Sequence, residues 1–555
     1  MNSENVTNSG QVSNTETSNS ILGSLSRRGF IVAGAGTAGA LTLAACSTAS
    51  TSSTTASASA AASGAASAGT PKTGGKLSFA MTGGGSAETL NPSAPYADID
   101  LARTMSIYDR LMHVADAQGI VQPMLAESMT PNADGTEWTI KLRSGVTWHD
   151  GSPFTSDDVI YTFKFDADPN NAAVANFFFT TFVDTKNIKK VDDLTLIVPM
   201  VQPVGDLAAF VQDPSFNIFK NGTTNFDKPN GTGPFKFVSW TPGQSSLFAR
   251  NTNYWGDAGP YIDELELVSI PDATTRLNAL LSGQVDAAAN VDYASAKSYE
   301  SQGASSPIQI VQVPGWASVP FTMGTATKPF SDPKVRQAFR LLPDREAMIQ
   351  SVNNGYGQIS NDLFAQGDPL YNNTLPQRVQ DIEQAKSLLK SAGYEGLTIE
   401  LSTSPYVAGM TEAAQVLSQQ AKAAGVTINV KKLPAESYYT TTWPNYQFGQ
   451  TVWGANTLPF WTAFTSMKGS LYNDTQWQDE QAQALATAAV GDPNPATSKE
   501  KFFSFQEYLY NNGTYIFWGT GPQVDAFGPR VANASPAQSV FYDYNGVDFT
   551  KYWVA

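Results

Sequence analysis

Few side chains in this sequence have the types and spacing that nucleophilic or metal chemistry requires. Cys46 is the single cysteine, and His113 and His149 are the two histidines in 555 residues. One cysteine cannot form a disulfide or a multi-cysteine metal site within the chain. His149 lies in the turn His149-Asp150-Gly151, where a lone histidine is more often a hydrogen-bonding group than a ligand. We therefore predict no metal and no cofactor.

A serine and a lysine at S-x-x-K spacing offer a different chemistry. Ser331 and Lys334 match the nucleophile motif of penicillin-binding serine enzymes, and Lys72-Thr73-Gly74 supplies K-T-G. In those enzymes K-T-G follows the nucleophile, whereas here it precedes the serine by over 250 residues, and Ser-Asp-Asn is absent. A serine enzyme that reacts with penicillin is therefore an alternative from another class, and we predict no enzymatic activity and no catalytic residue.

The amino terminus reads as an export signal. A polar stretch reaches Arg27 and Arg28, and an apolar, small-residue run of about 15 residues follows, from Ile31 to Ala45. The run is too short for a membrane span, which needs about 20 residues. Residues 1–45 are therefore predicted to be a cleaved signal peptide of the twin-arginine type. The sequence does not decide whether twin-arginine or general secretory export is used.

Cys46 closes this run in Leu43-Ala44-Ala45-Cys46, which resembles a bacterial lipobox. The resemblance implies that Cys46 carries acyl chains after cleavage, and more than one chain gives stable membrane anchoring. Residues 47–70 contain only Ser, Thr, Ala and Gly, a composition that cannot bury a core. We predict that residues 46–75 form a flexible tether reaching roughly 25–30 Å. The body would then sit at the outer face of the cytoplasmic membrane.

Length and charge limit the remaining function classes. A chain of 555 residues is expected to fold into more than one domain. The formal charge of −15 and the pI near 4.6 predict no nucleic-acid partner, because no basic patch offsets the acidic balance. From Lys76 onward, short strands alternate with helices of 10 to 14 residues, which favours an α/β fold.

Two helix–glycine–strand units stand out in the carboxyl half. Helical periodicity over 381–390 stops near Gly393 and is followed by a strand pattern at 397–401; helix 412–424 ends at Gly425 before strand 426–430. Glycine after a helix suits the left-handed residue that ends it. Both units fall in one predicted lobe.

Three stretches carry a family resemblance. They are QPMLAES (122–128) leading to WTIKLRSGVTWHDGSPFTSDDV (138–159), GTGPFKF (231–237) with RNTNYWG (250–256) and IPDATTRLNALLSGQVD (270–286), and FSDPKVRQA (330–338) with DREA (344–347). Together they resemble the peptide- and nickel-type solute-binding proteins of ABC importers. The first stretch is interpreted as scaffold, because it predicts a strand, a turn and a helix capped by Thr155 or Ser156.

The resemblance implies a fold and partners. The expected fold is α/β, periplasmic-binding-protein-like and two-lobed, with a large inserted subdomain and a ligand cleft between the lobes. Lobe I would comprise 76–110, 215–324 and 521–555, the insert 111–214, and lobe II 325–520. The implied partners are an ABC permease, its ATPase and an oligopeptide-class ligand, and the protein is predicted to be a monomer.

The candidate ligand-binding residues are Thr441, Gln450, Trp453, Asn456 and Trp461. In peptide-binding relatives a tryptophan is followed three residues later by an acid that pairs with the peptide's amino group, and Asn456 takes that place after Trp453. Gln450 and Thr441 stand where some relatives carry arginines. A buried ammonium without a carboxylate is costly, roughly 3–5 kcal/mol. Small zwitterionic peptides are therefore expected to bind poorly, and longer peptides or a neutral oligosaccharide to bind well.

Aromatic residues surround these positions and could pack against a sugar or a peptide. The cluster consists of Trp443, Tyr446, Trp453, Trp461, Tyr472 and Trp477. Large aromatic side chains are usually well buried, so most of them are also compatible with a role in the core.

Overall fold

The computed structural model describes residues 70–95, 97–114, 120–256, 259–434, 438–439, 446–470, 472–534 and 548–555, with residues 313–316 described by their backbone alone. The predicted signal peptide, Cys46, most of the predicted tether and Thr441 lie outside the described residues. Within these ranges no helix is both long and apolar enough to cross a lipid bilayer.

Strands occur along the whole described chain. In order they are β1 (Lys76–Met81), β2 (Met112–Val114), β3 (Val121–Pro123), β4 (Ala126–Pro131), β5 (Glu137–Leu142), β6 (Lys189–Asp192), β7 (Thr195–Pro199), β8 (Phe235–Thr241), β9 (Ser245–Arg250), β10 (Glu264–Ser269), β11 (Ala287–Ala288), β12 (Gln309–Ser318), β13 (Phe321–Met323), β14 (Gln358–Ile359), β15 (Thr398–Thr403), β16 (Thr427–Lys432), β17 (Phe448–Gln450), β18 (Trp453–Gly454), β19 (Tyr515–Ile516), β20 (Gly519–Phe527), β21 (Val531–Ala532) and β22 (Trp553–Val554).

Helices alternate with the strands. In order they are α1 (Asp98–Ile107), α2 (Ser156–Ala167), α3 (Asn176–Phe182), α4 (Ala208–Val211), α5 (Ala273–Leu281), α6 (Tyr293–Glu300), α7 (Pro333–Arg340), α8 (Arg345–Val352), α9 (Ile382–Ser391), α10 (Met410–Ala421), α11 (Leu458–Ser466), α12 (Glu480–Val490) and α13 (Pro495–Asn512). This alternation of strands and helices confirms the predicted α/β fold class.

The largest sheet among the described residues is mixed and follows the order β18-β12-β20-β11-β1-β10-β9-β8, with β14 also paired to β20. Strand β1 lies parallel to β10 and β11. Its residues after Lys76 are all buried, as expected for a central strand covered on both faces. Helix α1 packs on one face, and α5 and α6 pack on the other.

Two smaller groups of strands lie outside this sheet. Strands β4, β5, β7 and β6 form an antiparallel sheet, and β17, β13 and β19 form another. The parallel pair β15–β16 is built from the two helix–glycine–strand units, with Gly393 and Gly425 both in the left-handed region. The sequence-based prediction of these units is therefore confirmed, within two or three residues at each end.

The chain passes twice between the large sheet and the β17-β13-β19 sheet. It leaves through β12 and β13 and returns through β19 and β20, and β12 pairs antiparallel with β20 over most of its length. Between the two crossings, the Trp518 indole Nε1 donates to Val319 O at 2.9 Å. The two passages therefore form one hydrogen-bonded ribbon.

The family-like motifs have structural roles. Thr155 precedes α2, and its backbone N–H is accepted by Asp158 at 2.8 Å, as a capping residue requires. His149 Nε2 contacts Gly233 O at 2.9 Å, which confirms its prediction as a hydrogen-bonding group. Arg340 is buried and donates to Leu509 O, Tyr510 O and Asn511 O at 2.8–2.9 Å. Its guanidinium thus satisfies the last carbonyls of α13.

Candidate functional site

Asn456 lies in the short segment between β18 and α11 and contacts a distant part of the chain. Its Oδ1 accepts from Gln212 Nε2 at 3.0 Å, and its Nδ2 donates to Asp213 Oδ2 at 2.9 Å. All three side chains are buried. We call Gln212, Asp213, Trp453 and Asn456 the junction site.

Helix ends position these side chains. Gln212 follows the last residue of α4, and Asp213 caps the 3-10 turn Pro214–Phe216 by accepting from Ser215 N at 2.8 Å. On the opposite side Thr457 caps α11, and its hydroxyl donates to Ala209 O at 2.9 Å. The end of α4 is therefore held against the start of α11 by backbone and side-chain bonds.

The junction site contains a carboxyl group although position 456 is an amide. Burial raises the pKa of Asp213, while Ser215, the charge of Arg110 and Asn456 act in the opposite direction. Asp109 accepts from Thr232 and Trp255, and burial raises its pKa to about 6. Two buried carboxyl groups, those of Asp213 and Asp109, thus interact with the charge of Arg110.

Trp453 extends the junction site with an aromatic face. Its ring contacts Trp461 at a centroid distance of 4.9 Å and Tyr472 at 6.0 Å, and both contacts are edge-to-face. Phe364 packs against both tryptophans. The Trp453 indole Nε1 is buried without a hydrogen-bond partner among the described residues. A buried donor of this kind is costly unless something accepts from it.

The other predicted site residues are dispersed. Gln450 accepts from Thr403 Oγ1 at 2.6 Å and exchanges backbone bonds with the Tyr438 hydroxyl, so its side chain lies between β15 and β17. In the predicted aromatic cluster, Tyr446 stacks on Tyr438 and Trp477 stacks on Tyr508. Only Trp453, Trp461 and Tyr472 of the described cluster members pack together.

The sequence did not indicate Gln212 or Asp213. They lie more than 240 residues from Asn456, and no spacing rule relates positions that meet only through tertiary packing. The run Asp213-Pro214-Ser215 signals a capping turn and nothing more. Asp213 could be found as a buried carboxylate only once the fold was known.

Around the junction site, residues 177–214 pack tightly against residues 456–492, and we call this contact the boundary. Phe177 contacts Phe464 at 5.4 Å, and Phe210 contacts Phe460 at 6.5 Å. Gly205 N donates to Val490 O at 2.7 Å, and a Cβ on Gly205 would lie 2.0 Å from Asp492 O. Only glycine permits this approach of the two backbones.

A groove of about 510 Å³ opens along the same boundary. Its lining residues come from the end of α3 and the segment after β7 on one side, and from α12 and the segment after α11 on the other: Thr181, Gln202, Met467, Lys468, Gln483 and Thr487. This volume falls in the range of small-ligand sites.

The residues of the alternative serine-enzyme motif lie apart from the junction site. Ser331 is exposed in the turn before α7, and its N–H donates to Thr327 O at 3.1 Å. Gly74 of the K-T-G run hydrogen bonds to Tyr261 O. Within the described ranges no three His, Cys, Asp or Glu side chains are grouped to hold a metal ion.

Known proteins resemble this chain over most of its described length. It is 27% identical to the heme-binding protein A of Haemophilus influenzae over 62% of this chain and 66% of the relative. It is 28% identical to the dipeptide-binding protein of Escherichia coli over 58% of this chain and 64% of the relative. The aligned region thus spans just under two thirds of each relative.

The fold also matches solved structures. The ABC transporter-associated periplasmic binding protein DppA from Helicobacter pylori, solved in complex with the peptide STSA, superposes with a TM-score of 0.73 at 20% identity. The match covers 87% of this chain and 98% of that protein, so the periplasmic-binding-protein-like fold is confirmed. Residues 121–475 match the family model of the bacterial extracellular solute-binding proteins, family 5, and the chain belongs to that family.

Proposed function

We propose that this protein is the membrane-anchored solute-binding component of an ABC importer, and that it captures an oligopeptide-class solute. The observation that carries the proposal is the junction site, where buried amide, carboxylate and indole groups from two distant parts of the chain converge. Membership in the family and the peptide held by the H. pylori neighbour support the ligand class.

The proposed mechanism is closure of two lobes. In this division 76–110, 215–324 and 521–555 form lobe I, 111–214 the insert and 325–520 lobe II. The ribbon of β12 and β20 supports a hinge, since it is a connection through which the chain passes between the large sheet and the β17-β13-β19 sheet. A ligand that prefers the closed arrangement would shift the population toward it. The closed protein would then dock on the permease, whose ATPase drives uptake.

The junction site favours binding over catalysis. It consists of amide, carboxyl and indole groups, and among its described residues no nucleophile is paired with a base. We propose that the protein returns its ligand unchanged. Cys46 would anchor the chain through acyl groups, and the tether from 46 to 75 would let a monomeric body reach its transporter from the outer face of the cytoplasmic membrane.

Calorimetry with defined ligands tests this function. Tetra-alanine and hexa-alanine, each with free termini, would be compared with maltotetraose as a neutral oligosaccharide of similar length. The proposal expects micromolar or tighter binding of at least one peptide and no heat from the glycan. Binding of the glycan alone would favour the oligosaccharide alternative and refute the peptide class.

The membrane anchor is tested separately. Metabolic labelling with a fatty acid should mark the full chain, and Cys46→Ser should abolish the label and release the protein from the membrane fraction. A labelled Cys46→Ser variant would refute the lipid attachment site.

A further inference from the structure

The junction site contains acceptor oxygens beyond those its own side chains use. The Gln212 amide nitrogen is engaged by Asn456, whereas Gln212 Oε1 is buried and has no hydrogen-bond partner among the described residues. Asp213, the next residue, directs Oδ2 to the same Asn456 side chain. The Gln212 amide and the Asp213 carboxyl group therefore bond to the same Asn456 side chain.

Gln212 Oε1 and Asp213 Oδ2 can each accept a further hydrogen bond. A carboxylate oxygen accepts more than one hydrogen bond, and Asp213 Oδ2 is used by a single described donor, Asn456 Nδ2. An unpaired buried acceptor such as Gln212 Oε1 is unfavourable until a donor reaches it. A primary ammonium group has three donors and no acceptor, so it could satisfy both oxygens at once.

The surrounding charges also favour a cation. Burial raises the pKa of Asp213 and of Asp109, and the charge of Arg110 opposes that rise in each. An arriving ammonium group would likewise favour the ionised form of Asp213, since an adjacent opposite charge stabilises a carboxylate. Burial limits screening by water, which strengthens the attraction between the ammonium group and the Asp213 carboxylate.

We propose that Gln212 Oε1 and Asp213 form a subsite for a primary ammonium group, such as the free amino terminus of a peptide, with Asn456 orienting both side chains. The carboxylate thus comes from the residue that faces Asn456 and not from position 456 itself. This inference rests on the proposed function and specifies which end of a peptide the site holds. It replaces the expectation, drawn from Asn456 alone, that a peptide amino terminus would lack a carboxylate partner.

Competition between matched peptides tests the subsite. An equimolar pool of random hexapeptides, half with free amino termini and half N-acetylated, would be incubated with the full chain, and the bound fraction would be quantified by mass spectrometry. The subsite predicts at least about tenfold enrichment of free over acetylated peptides, equivalent to about 1.4 kcal/mol. Equal retention of the two halves would refute the subsite while leaving peptide binding intact. Retention of no peptide would refute the proposed function and the subsite with it.

Variants assign the selectivity to residues. Asp213→Asn removes the charge, and Gln212→Met removes the acceptor at similar volume without changing the charge. Each should reduce the enrichment of free peptides to about threefold or less. Asp193→Asn, which removes an exposed carboxylate elsewhere in residues 111–214, should leave it unchanged. Thermal melts establish that each variant is folded, and Gln212→Met serves if Asp213→Asn does not fold. Undiminished selectivity in a folded Gln212→Met or Asp213→Asn protein would overturn the assignment.

Discussion

The side-chain amide of Asn456 donates to Asp213 Oδ2 at 2.9 Å and so joins two positions 243 residues apart. Through Oδ1 the same amide accepts from Gln212, which makes it the central member of a buried three-residue network. Networks of this kind are sensitive to the loss of any member, since the remaining groups stay buried without partners.

Replacing Asn456 by alanine should therefore weaken ligand binding. The change leaves Gln212 Nε2 and Asp213 Oδ2 without their shared partner, at a cost of about 1–3 kcal/mol. We expect a 10- to 100-fold rise in Kd, measured by calorimetry with the hexapeptide that the wild-type chain retains best. Asn187→Ala, an exposed amide that contacts Asp184, is the control and should bind normally. An unchanged Kd in Asn456→Ala would show that the network does not support the ligand site.

Alanine at Gly205 tests the backbone contact across the boundary. Its Cβ would meet Asp492 O at 2.0 Å, so the loop after β7 and the end of α12 must separate. We expect weaker ligand binding and a larger radius of gyration in solution scattering with ligand present. Gly222→Ala is the matched control, because that glycine has a positive φ but open space around its Cβ position. It should lose about 1–2 kcal/mol of stability from backbone strain and keep its affinity. A Gly205→Ala protein that closes and binds like wild type would contradict the close packing of this boundary.

Arg340 is expected to be essential for stability and not for binding. Burial lowers the pKa of its guanidinium to about 9, and the side chain donates to three carbonyls at the end of α13. Arg340→Met removes one donor from each of these carbonyls, which keep Gly513 N, Arg378 and Gln337 as their other donors, and we expect a loss of about 1–3 kcal/mol in the free energy of unfolding by urea. Lys386→Met breaks an exposed ion pair with Glu383 and should cost under about 1 kcal/mol. Similar losses in the two variants would disprove the capping role.

Asp166 should make stability depend on pH. Burial raises its pKa to about 8, and Ser93 acts in the opposite direction. Between about pH 4 and pH 8 the folded state holds a proton that the unfolded state releases, so stability falls as the pH rises through this window. The slope is at most about 1.4 kcal/mol per pH unit, and it ends above the folded-state pKa.

Asp166→Asn removes this titration. Its free energy of unfolding should fall less steeply than that of wild type from pH 5 to pH 8, with the gap widening as the pH rises. Asp98 and Asp525, whose pKa values burial raises to about 6 and 7, contribute a residual slope of the same sign. Asp193→Asn, at an exposed site, should follow the wild-type curve. Parallel curves for Asp166→Asn and wild type would mean that Asp166 is ionised in the folded protein.

Local patterns made much of the fold predictable. Thr155 precedes a helix and Gly425 follows one, as expected for a capping threonine and a left-handed glycine. Nearby strands were predicted from the alternation of apolar and polar residues. The role of Arg340 could not be interpreted from sequence, because the carbonyls to which it donates lie about 170 residues away. Sequence spacing reports on neighbours along the chain and is silent about such partners.

The candidate site was predictable only in part. Trp453 and Asn456 were identified through the family resemblance and Trp461 through its place in the aromatic cluster, and the structure brings Trp453 and Trp461 into contact. Gln450 bonds with Thr403 and Tyr438 instead. The decisive partners of Asn456 come from the segment after α4, which the family-like motifs do not include. Whether the site is neutral depends on Asp213, and only the fold shows that Asp213 lies against Asn456.

Peptide binding is the property on which the proposed function depends. Native mass spectrometry of the chain purified from its own host, followed by release and sequencing of whatever it carries, tests that property most directly. The account predicts a set of peptides with free amino termini bound at one per chain. Recovery of a glycan or another solute, with no peptide, would contradict it.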